Sequence, residues 1–93
     1  MQQDRAVSIA VEALGWLAAN DELRPVFLGA TGLQGDEVAS RAQDPEFLGV
    51  VLDFLVMDDA WVQAFCDQAD VPYDAPMTAR SALPGGEIAS NWT

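Results

Sequence analysis

The stretch between Asp44 and Asp58 constrains this chain more than any other. Phe47, Leu48, Val50, Val51, Leu52, Phe54, Leu55, Val56 and Met57 make it apolar nearly all round. In front of it stands Asp44-Pro45-Glu46, the strongest local signal in the sequence. An aspartate can cap the helix, a proline at the first position gives up no needed N–H, and an acid follows near the positive end of the helix dipole. A strand over Gly49–Met57 is the competing reading, but length and cap favour a helix running to about Met57. A helix apolar on most sides is buried on most sides. A chain of 93 residues has room for one core, so the other segments are expected to pack around this helix.

Those segments are also helical in pattern. Asp4 opens a first helix to about Ala19, with the stripe Val7, Ala10, Val11, Leu14, Leu17 and Ala18, widened on one flank by Ile9 and Trp16. Asn20 and Asp21 stop it and cap a second helix from Glu22 to about Ala30, with Pro25 tolerated in its first turn. Thr31–Gly35 reads as a turn, and a short helix follows from Asp36 to Ala42. Asp58-Asp59 caps a fifth helix with the stripe Trp61, Val62, Phe65, Cys66 and Ala69. After the turn Val71-Pro72-Tyr73, Asp74 caps a sixth, which ends at Leu83 before Pro84-Gly85-Gly86. The expected fold is all-α: a compact bundle of about six short helices, with residues 1–86 as one domain and 87–93 as a C-terminal tail. The tail carries Ile88 and Trp92, and two large apolar side chains left in water forgo about 1.5–3 kcal/mol each, so Trp92 is expected to fold back on its own bundle, the alternative being display as an anchor for another chain.

Sliding the chain by 38 residues places Leu14, Leu17, Asp21, Phe27 and Asp36 on Leu52, Leu55, Asp59, Phe65 and Asp74. Roughly two matches would arise from average composition over that span. The offset suits two similar helical halves. Any two capped amphipathic hairpins also look alike at the right offset, so both readings stand at this level.

The charge balance excludes several functions. Fifteen acids face four arginines, with no lysine and no histidine, for a net charge of −11. Phosphate backbones and anionic membrane surfaces both need clustered cations, so neither nucleic acid nor membrane is an expected partner. A basic protein partner fits the charge. Without histidine the commonest general base and transition-metal ligand are gone. One cysteine allows no disulfide framework within the chain, which points to a reducing, cytoplasmic setting. The apolar run Ala6–Ala19 is interrupted by Glu12 and preceded by Asp4 beside Arg5, unlike a signal peptide.

Most of the acids have a helical explanation. Asp4, Asp21, Asp36, Asp44, Asp58 and Asp74 fall at expected N-caps, and Glu22, Glu37, Glu46 and Asp59 in first turns. Asp53 is the odd one, inside the most apolar helix, where it either faces solvent or pairs with an arginine across the bundle. A catalytic carboxylate needs a partner, and none is readable. Asp67, Asp70 and Asp74 lack the spacing and glycine of a calcium loop. Cys66 lies on an apolar stripe, where a buried inert thiol is the rule. Gly29, Gly32 and Gly35 follow no strand, which speaks against a phosphate loop. Asn91-Trp92-Thr93 matches a glycosylation sequon without a context that gives it weight.

The sequence resembles a family of short bacterial proteins, the domain of unknown function numbered 3572. The resemblance rests on Asp21-Glu22-Leu23, Phe27-Leu28 and Thr31-Gly32, and more on Asp44-Pro45-Glu46-Phe47-Leu48, Val51-Leu52-Asp53-Phe54-Leu55, Asp58-Asp59 and Phe65. It extends from about residue 5 to 86. It implies an all-helical domain of this size in alphaproteobacteria, and it implies no activity, cofactor or site residue.

The sequence therefore names no catalytic, cofactor-binding or metal-binding residue and calls for no cofactor. The expected function is a non-enzymatic protein-interaction or regulatory module. The alternative is a domain for a small apolar ligand, with a pocket between helix hairpins lined by Trp61, Phe65 and Met77.

Overall fold

The computed structural model describes residues 1–83. They form six helices: α1 Gln3–Ala19, α2 Leu23–Thr31, α3 Gly35–Ser40, α4 Pro45–Leu55, α5 Asp59–Ala69 and α6 Ala75–Ser81. The fold is all-α, as the periodicity predicts. The boundaries sit one or two residues from the expected ones, the usual fraying of helix ends; α4 closes at Leu55, with Val56 as C-cap. The expectation for Trp92 falls on the tail and lies outside the described residues.

Two aspartates cap as expected. Asp44 accepts a hydrogen bond from the Glu46 N–H at 3.0 Å, and Asp58 accepts from the Ala60 and Trp61 N–H groups at 2.8 and 3.4 Å. The other four do not. Asp4 and Asp36 lie inside the first turns of α1 and α3. Asp74 stands at the N-cap of α6 but its side chain makes no cap bond. Before α2, Asn20 of the expected pair caps: its side-chain oxygen accepts from the Glu22 and Leu23 N–H groups, both at 3.0 Å. At α3 the Glu37 carboxylate reaches back to the Gln34 N–H at 3.1 Å. At α2 and α3 an orphan N–H finds an acceptor, but the acceptor stands one residue from the first acid in the sequence.

The core is one continuous cluster. Its largest fully buried side chains include Ile9, Leu17, Leu48, Val51, Leu52, Leu55, Phe65 and Leu83. Each is worth roughly 1.5–3 kcal/mol of burial. Helix α4 is sunk in it as expected, with Phe47, Leu48, Gly49, Val51, Leu52, Phe54 and Leu55 buried. It shares the centre with α1, which packs against α2, α4, α5 and α6. Because α1 meets α4 and α6 together, its buried face is turned from the expected stripe. Ala6, Ile9 and Ala13 are buried, while Val11 and Ala18 are exposed.

The turn at Asn20 has a counterpart at Asp58. Each residue's N–H bonds the carbonyl three residues back, at Leu17 and Leu55, and each carbonyl accepts from four residues ahead, at Arg24 and Val62. Each side chain accepts from the second and third N–H that follow. Gly32 and Asp70, which end α2 and α5, are the described residues with positive φ, at 73° and 58°. The ring contact of Trp16 with Phe65 (6.1 Å, 68°) has a counterpart in that of Phe54 with Phe27 (5.2 Å, 73°), both edge-to-face.

Candidate functional site

Trp16 lies on the solvent side of α1, half-buried, with its ring held against the buried Phe65 of α5. Glu12 and Ala19 are a turn away on either side, which puts them on the same face. These residues, with Gly15 of α1 and Phe65, Gln68 and Ala69 of α5, line an open groove of about 340 Å³. Its floor is aromatic and its rim carries one carboxylate and one amide. No arginine is among the lining residues, and Glu12 has no ion pair or side-chain hydrogen bond with any described residue.

Gly15 gives the groove its depth. A glycine in mid-helix costs roughly 0.5–1 kcal/mol relative to alanine. A Cβ placed there would meet nothing within 4 Å. Internal packing therefore does not require this glycine.

Trp61, Phe65 and Met77, the residues named for an apolar pocket, have different surroundings. Trp61 stacks flat on Phe54 (5.0 Å, 18°), and Met77 is 61% exposed on α6. Phe65 turns instead to Trp16. Trp61 and Phe65 are four residues apart on one helix, but each ring is claimed by a different neighbour, which spacing alone does not reveal.

Asp53 takes the second of its two expected roles. Its carboxylate accepts from Arg80 Nε of α6 at 2.6 Å and stays half exposed. Such a pair contributes up to about 1 kcal/mol. Cys66 is buried, and burial, with Asp67 and Asp74 nearby, pushes its thiol above the ordinary value. Cys66 also borders a shallow cavity of about 300 Å³ with Asp67, Asp70, Val71, Pro72 and Tyr73. There the Tyr73 hydroxyl donates to Asp67 at 2.7 Å, and that bond raises the phenol's pKa. A third cavity of about 190 Å³, almost wholly apolar, lies among Leu14, Ala18, Arg24, Phe27, Leu28, Gly35 and Val38. Among the described residues no three acids or thiols gather closely enough to hold a metal ion, and no charged side chain is buried. No described helix is long and apolar enough to cross a membrane.

The model of a family described as protein of unknown function (DUF3572) matches residues 3–86, most of the chain. The chain belongs to that family. The DUF3572 match covers all six helices and every residue of the groove. No curated protein and no solved structure matches the chain. Sequence reasoning missed the groove in this DUF3572 chain because Trp16 reads as core and Glu12 as a solvated charge. The available signal was Gly15, placed mid-helix between them.

Proposed function

We propose that this protein is a non-enzymatic interaction module of the cytoplasm that docks on a basic protein partner. The observation that carries the reading is the pairing of charge with shape. The net charge is −11, and the cavity between α1 and α5 is an open groove with a carboxylate on its rim rather than an enclosed chamber. Acidic surfaces steer cationic partners and raise their association rate. An open groove suits a side chain presented by another protein. A small apolar ligand is better served by a closed apolar site, and the nearest approach to one, beside Phe27 and Leu28, is smaller.

Affinity capture from cell extract tests this, with salt elution followed by protein and small-molecule mass spectrometry. A basic protein released by salt is the expected result. A small apolar molecule retained through the salt wash would favour the ligand-binding alternative.

We also infer that the two halves of the domain are repeats at the 38-residue offset. The matched turns at Asn20 and Asp58, the left-handed ends at Gly32 and Asp70, and the exchanged ring contacts support it. A determined structure in which α1–α2 superposes on α4–α5 in another register, or with hairpins of opposite hand, would contradict it.

A further inference from the structure

We propose that the groove between α1 and α5 receives an arginine side chain from the partner, with the guanidinium laid on Trp16 and its N–H groups directed to the Glu12 carboxylate and the Gln68 amide oxygen. This deepens the docking reading and rests on it. The chemistry of the lining selects the occupant. A planar guanidinium stacks on an indole face and presents a fork of donors that matches a carboxylate. A lysine ammonium matches neither feature as well. The groove supplies an aromatic face, an unpaired carboxylate and no competing cation.

Two further observations point the same way. Gly15 lowers helix stability without serving any internal contact, so the space above it is available to an outside group. At the 38-residue offset Gly15 and Ala19 correspond to Asp53 and Met57. The first of those positions, on α4, is occupied by an ion pair with Arg80, and the second, in the turn after α4, by a long exposed side chain. The α1 face is the one left open.

The test is a fluorescence-anisotropy titration of the intact protein with two labelled peptides, one of alternating arginine and alanine, the other with lysine in place of arginine. The arginine peptide should bind more tightly. Glu12→Gln should weaken it roughly tenfold, the scale of a lost hydrogen bond to a charged group. Gly15→Leu should abolish the arginine preference while leaving the melting temperature unchanged or raised, since leucine is the better helix former; this separates a blocked groove from a damaged fold. Glu46→Gln, outside the groove lining, should change little. If the arginine peptide binds but neither groove variant weakens it, the groove assignment is wrong and the docking reading survives. If neither peptide binds, both fall.

Discussion

Asp70 ends α5 in the left-handed conformation that Gly32 adopts at the end of α2, with φ of 58° and 73°. In each helix the N–H of that residue bonds the carbonyl four residues back, at Cys66 and Leu28. The geometry is the same and the side chain is not. Glycine holds this conformation without the steric penalty that a Cβ brings. Asp70→Gly should therefore stabilise the protein by about 0.5–1 kcal/mol, and Gly32→Ala should destabilise it by about 1 kcal/mol. Denaturant unfolding of the two variants checks both signs.

The caps divide into those that bond and those that merely stand near a helix end. Asp44→Ala and Asp58→Ala should each cost about 0.5–2 kcal/mol. Asp74→Ala should cost much less, because its side chain accepts no cap bond. Thermal melts of the three variants should rank them in that way. Equal losses at Asp58 and Asp74 would show that charge near the helix end outweighs the cap bond.

Helix number and type were legible because caps and apolar periodicity are local. Asp44-Pro45-Glu46 started α4 where expected. Which polar residue caps depends on where the chain turns, so of the expected pair Asn20 and Asp21 it is Asn20 whose side chain caps, and Gln34 precedes Asp36. The rotation of α1 was not legible. It is set by two partners, α4 and α6, that lie far along the chain. The groove escaped for the same reason, since Glu12 and Gln68 come to line one groove only after folding.

Salt should stabilise this protein. Two ion pairs are formed by described side chains, Arg24 with Asp21 and Arg80 with Asp53, against a net charge of −11. Repulsion among exposed carboxylates falls as the Debye length shortens from roughly 30 Å at 0.01 M to roughly 8 Å at physiological ionic strength. The melting temperature should rise over that range in sodium chloride. A fall would contradict the account of the surface.

The hydrogen bond from Tyr73 to Asp67 makes a pH prediction. The bond, and the Asp67 charge, favour the protonated phenol and raise its pKa. The stabilisation is then fully present below the unfolded tyrosine pKa of about 10 and is lost as pH rises through the higher folded value. Ultraviolet titration of the chain's single tyrosine should give a midpoint above that of the unfolded chain. Asp67→Asn should lower it.

The central claim is that a basic partner docks on the α1–α5 groove, and amide chemical-shift mapping during titration with the arginine–alanine peptide tests it most directly. The account predicts that the largest shifts cluster at Glu12, Gly15, Trp16, Ala19, Phe65, Gln68 and Ala69, the groove lining. Shifts spread evenly over the acidic helix starts at Asp36, Asp44, Asp58 and Asp74, with the groove unmoved, would contradict it.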